Sequence, residues 1–386
     1  MSRRLPVLLT CGFFGWLWLI GILTFLPGLQ IGGALRGVIE NPAAPAWSLQ
    51  GVLDGSSFRA AENWFSSHVG LHNLWVRLDN QVSYTLLRES PVRETGTRVV
   101  VSPGDWLFEH VYITAAITPS KLSADELADM AARIQRVQTK LERRGTRLLL
   151  VVAPSKVELY PEHVPPAHFA GRDPAAILTS YERLRPLLHE AGVEFYDGPE
   201  RFAAWKAAGH GSLFARTGTH WSYYAIYHVL EELREKLNPH LRRPLPGLGL
   251  TSLDYEQPQR TDTDLHRVLN LLLPPFHEPI QPFPVIQAQD EVPAEDLPRL
   301  LWVNDSFGLG LIDTLYRANA MQPTHSLYYF QNIYSLPGLH RQDGAITDIE
   351  WESYLAEFDA VVVVLTEIAL EQQAWGFFEA LDTALD

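Results

Sequence analysis

Sulfur is scarce in this chain: its 386 residues include one cysteine, Cys11, and three methionines. A single cysteine forms no intramolecular disulfide, which excludes a disulfide scaffold and a cysteine-clustered metal site but leaves an oxidising compartment open. Positive charge is also short. Lys and Arg total 31 against 45 Asp and Glu, a formal net charge of -14, and no basic run follows the N-terminus. Such a chain repels phosphate backbones, so nucleic acid is not expected as a partner. A polyanionic glycan meets the same repulsion, and a neutral or weakly charged sugar polymer fits better. No glycine loop for phosphate and no dinucleotide fingerprint is found, and the 14 histidines are scattered without a recognisable ligand set. No cofactor and no metal are therefore expected. Apolar residues at 46% and charged residues at 20% are ordinary for a globular protein.

The clearest positive signal comes first in the chain. Arg3 and Arg4 precede an uncharged run from Leu5 to Leu26. As a helix at about 1.5 Å per residue, this run spans roughly 30 Å, the thickness of a hydrocarbon core. Positive charge before the span puts the N-terminus in the cytoplasm and exports the rest. Gly32-Gly33-Ala34 would suit a cleaved signal peptide. The run is long for a signal peptide, which favours an uncleaved anchor in the inner membrane with a periplasmic domain behind it. Cys11 reads as an ordinary buried residue of that run.

Three segments are expected: an anchor over residues 1–27, a Gly/Pro-rich tether over 28–57, and one large domain over 58–386. Phe58 to Leu87 reads as helical. Val99-Val100-Val101 reads as a short strand. Ser123 to Glu142 is an amphipathic helix with Ser123 as N-cap and Glu126 three residues on. Apolar runs at Leu148–Ala153, Val193–Tyr196, Leu300–Val303, Ser326–Phe330 and Ala360–Leu365 read as strands. Helices between them are expected over Ala175–Glu190, Trp221–Leu237 and about Ile312–Ala320. This alternation predicts an α/β fold with a doubly wound parallel sheet covered on both faces. Eleven of the 27 prolines fall between Pro239 and Pro298, so that stretch is read as an irregular insertion over one end of the sheet.

Ligands in such folds bind beyond the carboxyl ends of the strands. The residues just past the predicted strands are Pro154-Ser155-Lys156, Asp197, Asn304-Asp305-Ser306-Phe307-Gly308 and Thr366-Glu367, with a loop reaching Gly218-Thr219-His220-Trp221. A serine between a strand and a helix, beside glycine, projects its hydroxyl into the cleft near backbone N–H groups suited to an oxyanion. Taken alone, Ser306 also reads as a helix cap and His220 as a loop histidine.

Together these residues resemble the SGNH-hydrolase-like alginate O-acetyltransferases, periplasmic membrane-anchored proteins of polysaccharide O-acetylation. Asn304-Asp305-Ser306-Phe307 is similar to that family's Gly-Asp-Ser-Phe, and Gly218-Thr219-His220-Trp221 to its Asp-Thr-His-Trp. Val152-Ala153-Pro154-Ser155-Lys156 with Tyr160-Pro161-Glu162, Trp106-Leu107-Phe108, and Thr263-Asp264-Leu265 match three further family segments in order. The resemblance implies Ser306 as nucleophile and His220 as base, an exported polysaccharide as acceptor, and a membrane-bound O-acyltransferase as the source of acetyl groups. It also exposes a departure: the aspartate that should orient the histidine is Gly218. Either another group takes that role, with Asp197, Glu367 and Asp305 as candidates, or the site is slow or dead. Gly308 and Lys156 are candidates for oxyanion or substrate contacts, and Trp221, with Trp205, for contact with sugar. Two alternatives stay open: a non-catalytic subunit binding the polymer or the acyltransferase, and a carbohydrate acetyl esterase using water.

Overall fold

The computed structural model describes residues 4–26, 31–36, 42–92, 98–273 and 279–385. Arg3, the last residue of the expected anchor (27) and parts of the expected tether (28–30 and 37–41) lie outside the described residues. The chain divides into two compact units, Met1–Glu94 with Leu265–Phe276, and Thr95–Asp264 with His277–Asp386. The helical region from Phe58, read from the sequence as the opening of the large domain, is grouped with the first unit.

In the first unit, Arg4–Phe25 is a helix, and among the described residues it is the one long and apolar enough to cross a membrane. Cys11 is exposed on its surface rather than buried, because among the described residues of the unit nothing covers that stretch of helix. The single helix expected over Phe58–Leu87 is broken in two, Ser56–His68 and His72–Val82, followed by a π-helical turn, Ser83–Leu87. The break has a packing cause. The Gly70 N–H donates to Thr24 Oγ1 at 2.8 Å, and a side chain at Gly70 would overlap the backbone at Ile20. The chain turns there through Leu71 at φ 68°.

The second unit holds the sheet. Strands β1 (Val99–Val101) and β2 (Leu107–Glu109) form a small antiparallel pair. β3 (Arg147–Ala153), β4 (Phe195–Asp197), β7 (Leu300–Asn304), β8 (Thr324–Tyr328), β9 (Asn332–Leu336), β10 (His340–Arg341) and β11 (Ala360–Thr366) make the main sheet, in the order β10-β9-β8-β7-β11-β3-β4. Pairing is parallel from β8 through β4. β9 and β10 add an antiparallel edge. That edge is not expected from the sequence; apart from buried Leu336 its residues are half-buried or exposed, so they lack the apolar run that marks the inner strands.

Alternation along the central strands explains the two faces. Leu149, Val151, Trp302, Val362 and Val364 enter one core with helices Gly198–Ala207, Tyr223–Leu237 and Ser306–Arg317. Leu148, Leu150, Val303, Val361 and Val363 enter the other with Ala124–Arg143, Ser180–Glu190 and Phe377–Ala384. Two helices start where capping boxes place them, at Ser123 with Glu126 and at Thr179 with Glu182. The helix after β7 starts at Ser306, well before Ile312, because Asp305 caps it.

The proline-rich stretch is more regular than expected. Strands β5 (Leu248–Glu256) and β6 (Gln281–Ala288) form an antiparallel ribbon apart from the main sheet. Pro282 and Pro284, opposite Tyr255 and Leu253, sit two residues apart, so both missing N–H groups fall on the same, unpaired edge.

Gly198, at the start of the helix after β4, sits so close to the Val152 carbonyl that a Cβ would collide with it. Gly198→Ala is expected to lower stability by about 1–3 kcal/mol, read as a drop in the thermal unfolding midpoint.

Candidate functional site

The carboxyl ends of β7, β11 and β3 meet on one side of the sheet, and short hydrogen-bonded links tie them. Asp305, buried after β7, accepts from the Phe307 N–H at 2.9 Å through one oxygen and from the Thr366 N–H at 2.8 Å through the other. It thereby caps the Ser306 helix and fastens it to β11. Burial raises the Asp305 pKa, while the N–H groups of Thr366 and Phe307 and the nearby His220 pull it down. Asn304, fully buried, donates to the Asp305 carbonyl at 2.7 Å and accepts from Ser326 Oγ at 2.8 Å. Ser306 is the first residue of its helix. Tyr329 hydrogen-bonds with both its hydroxyl and its backbone, and reaches it from a left-handed backbone at φ 51°. Burial raises the Tyr329 pKa first, with Asp305 adding to it.

His220 arrives from the loop before the Tyr223–Leu237 helix. Its ring lies 4.7 Å from that of Phe307, the residue after Ser306. Trp221 next to it is fully buried and donates its indole N–H to the Phe307 carbonyl at 3.1 Å. The His220 and Ser306 loops are thus joined through Phe307. His220 Nδ1 is hydrogen-bonded to Asp264 Oδ2, and the other oxygen of Asp264 accepts from the Thr219 N–H at 2.8 Å. Nε2 of His220 is buried and has no partner among the described residues. Burial by itself would depress the His220 pKa. The charge and hydrogen bond of Asp264 outweigh it, with Glu109 and Asp305 adding to them, and the net shift is upward. Glu109, hydrogen-bonded to Thr219, has its own pKa raised by burial and then by Asp264. Tyr112 borders the site with its ring 6.3 Å from that of Phe307. Burial and then the acids Glu109, Asp305 and Glu367 raise its pKa, so its phenol stays protonated and able to donate.

Gly218 explains how the carboxylate reaches the histidine from outside the Gly-Thr-His-Trp segment. A Cβ at Gly218 would stand 2.8 Å from the carbonyl oxygens of both Thr261 and Asp262. The 261–264 segment therefore lies directly on the Gly218 backbone, and only an absent side chain lets Asp264 approach. Thr217 Oγ1 donates to the Asp262 carbonyl at 3.3 Å and helps hold the two segments together.

The SGNH hydrolase-like domain family of the acetyltransferase AlgX matches residues 99–297. The chain belongs to this family. Among curated proteins it is similar to the probable alginate O-acetylases AlgJ of Pseudomonas aeruginosa, 32% identical over 53% of this chain and 49% of that one, and of Azotobacter vinelandii, 28% identical over 51% and 50%. The chain thus spans about half the length of these relatives. Among solved structures, the O-acetyltransferase domain of Pseudomonas putida AlgJ aligns with a TM-score of 0.45 at 18% identity, covering 74% of this chain and 99% of that one.

Within this member of the family, the remaining sequence candidates separate. Asp197 caps the Gly198–Ala207 helix, accepting from the Glu200 N–H at 3.0 Å, from Tyr181, and from Arg185 Nε at 2.5 Å. It sits at the edge strand β4, away from His220, and is structural. Glu367 turns toward Ser155 instead of the histidine, and burial pushes its pKa up to about 7. Lys156 does not face substrate. Its buried ammonium donates to the carbonyls of Ala215 at 3.1 Å, Arg216 at 3.0 Å and Gly218, and lies over the Phe108 ring at 5.0 Å. It clamps the histidine loop from below. Gly308 is no free oxyanion donor, because its N–H donates to the Asp305 carbonyl at 3.3 Å and its Cα abuts Asn304. Trp221 and Trp205 are buried in the core and have no ring face left for sugar.

Asp264, Tyr329, Tyr112 and Glu109 were not singled out as site residues from the sequence. Asp264 carried a direct signal, in the Thr263-Asp264-Leu265 match. Glu109 directly follows the Trp106-Leu107-Phe108 match without being part of it, and Tyr329 lies in a turn with no motif around it. Filling the Gly218 gap should push Asp264 off the histidine. Gly218→Ala is expected to destabilise by about 1–3 kcal/mol in thermal unfolding. Gly218→Asp, for the same reason, should not rescue an enzyme lacking Asp264.

Proposed function

We propose that this protein is an O-acetyltransferase that modifies hydroxyls of an exported polysaccharide through an acetyl ester on Ser306. The supporting observation is the His220–Asp264 pair, which engages Nδ1 and leaves Nε2 free beside the Ser306 segment. In the first half-reaction Nε2 takes the Ser306 proton as Oγ attacks the donor's acetyl carbonyl, and the imidazolium returns that proton to the departing group. In the second, Nε2 takes the proton of a sugar hydroxyl as its oxygen attacks the acetyl carbon. The bond to Ser306 Oγ breaks and the proton returns to Oγ. Asp264 balances the imidazolium charge in both. The phenols of Tyr329, which hydrogen-bonds with Ser306, and of Tyr112, beside Phe307, with the backbone N–H of Ser306, serve as donors to the developing oxyanion.

The anchor reading gives this site its setting. A single-pass helix at Arg4–Phe25 in the inner membrane would hold the domain on the periplasmic side, where acetyl-CoA is absent. A membrane-bound O-acyltransferase would then deliver the acetyl group. The non-catalytic alternative rested on Gly218, and a carboxylate at the histidine from Asp264 favours chemistry instead. Esterase activity shares the first half-reaction, and acceptor competition separates the two: a transferase passes acetyl to added oligosaccharide faster than to water.

Ser306→Ala should abolish acetyl-ester turnover; equal rates for wild type and variant refute the proposal. Asp264→Asn should lower kcat by roughly 10⁴, the size of effect an orienting aspartate has in serine proteases. The pH profile follows from the upward shift at His220. The base must be neutral, so activity should rise with pH along a limb lying above the ordinary imidazole value of about 6.5. In Asp264→Asn that limb should move to lower pH.

A further inference from the structure

A cavity of about 360 Å³ opens beside the site, and its chemistry differs from what a uronate polymer needs. Four carboxyl groups line it, Glu158, Glu182, Glu367 and Glu371, against one lysine, Lys121. Two connections tie it to the reacting serine. Glu367 directly follows Thr366, whose N–H holds Asp305, the residue before Ser306. Tyr112 lines the cavity and also faces Phe307.

The acids are not equivalent. Glu182 closes a capping box with the Thr179 N–H at 2.7 Å, and Glu371 accepts from Ser180 Oγ at 2.6 Å. Glu367 is different: it is 8% exposed, and its Oε2 has no hydrogen-bond partner among the described residues. A buried acceptor of this kind calls for a donor. Glu158 reaches into the same space, where its surface stays open to the cavity although protein surrounds it. Burial, then Glu367, pushes its pKa well up. The cavity therefore draws in positive charge, and protons meet that need when nothing else does. Among the described residues no group of three or more His, Cys, Asp or Glu side chains is placed to hold a metal ion.

We propose that this cavity is the acceptor subsite and that it takes a sugar ring carrying a free ammonium group, with Glu367 and Glu158 on the ammonium. The volume falls at the lower end of the range for small-molecule sites and suits one or two sugar rings. A uronate carboxylate would meet four acids with one lysine to offset them. The arrangement also selects the atom that reacts. Carboxylates around the amine keep it protonated, with no lone pair to attack an acyl group. The acetyl group leaves Ser306 Oγ for a ring hydroxyl instead, whose proton passes to His220. The proposal rests on Ser306 as the acetyl carrier, but its binding half is testable without turnover.

The test is calorimetric titration of the full chain in detergent, in a Ser306→Ala background. The probes are a glucosamine oligosaccharide, its fully N-acetylated counterpart, a mannuronate oligosaccharide and the free diamine putrescine. The glucosamine oligomer should bind most tightly, and mannuronate should not bind. Glu367→Gln, which keeps size and shape, should weaken the glucosamine oligomer by about 30-fold or more while leaving the N-acetylated one unchanged. Glu158→Gln provides a second variant, with unfolding midpoints checked for both. Equal or tighter binding of the N-acetylated or mannuronate oligomer overturns the proposal, as does no binding of any oligosaccharide. Putrescine binding as tightly as the oligomer, or no effect of either substitution, overturns it too. Failure of the acetyl-carrier reading shows elsewhere, as unchanged turnover in Ser306→Ala.

Discussion

The contact between Asp264 and the His220 ring organises the upper face of this domain. It fixes which ring nitrogen is engaged and counters the desolvation that would otherwise keep a buried imidazole neutral and acidic. Its existence depends on a missing atom. With no Cβ at Gly218, the 261–264 segment can lie on the histidine loop, and from there Asp264 also takes the Thr219 N–H. The loop is held from the other side by Lys156, whose ammonium gathers three of its carbonyls. A carboxylate above and an ammonium below leave the loop one position.

The same economy appears at the serine. Asp305 spends both oxygens on backbone N–H groups, so the helix that starts at Ser306 is fastened to the end of β11. Asn304 and Ser326 complete the support from β7 and β8, and the Trp221 indole fixes the next turn through Phe307. These links run between strand ends of a sheet whose central strands are buried on both faces. A rigid base of this kind lets a few polar groups be preorganised for charge that develops only during reaction. Around them stand several acids whose pKa burial raises, Glu109, Asp305 and Glu367. That ring of carboxyls makes the neighbourhood hospitable to cations and to hydroxyl donors, and hostile to anions.

Much of this was legible beforehand. The runs Leu148–Ala153 and Ala360–Leu365 announced buried parallel strands, since a strand covered on both faces needs apolar side chains at every position. Ser123 with Glu126 announced its helix start, because the capping box is local chemistry. Ser306, His220 and Asp305 stood out because strand ends and short motifs are also local. The antiparallel edge of β9 and β10 left no such trace, being largely half-buried or exposed and mixed in composition. The ribbon within the proline-rich stretch was hidden because prolines disfavour strands in general and are harmless only on an edge that pairing alone defines.

Sequence by itself determined the layered α/β plan, the apolar N-terminal helix and the two loops that bear a serine and a histidine, since each is written in neighbouring residues. Only the tertiary structure decided which acid serves the histidine. Asp197, Glu367 and Asp305 all follow strands as a catalytic acid might, yet one caps a helix, one turns into a cavity and one ties two strands together. Asp264 lies 44 residues from His220 and reaches it across a glycine. Such a contact depends on where two distant backbones cross, and no local pattern of residues encodes a crossing.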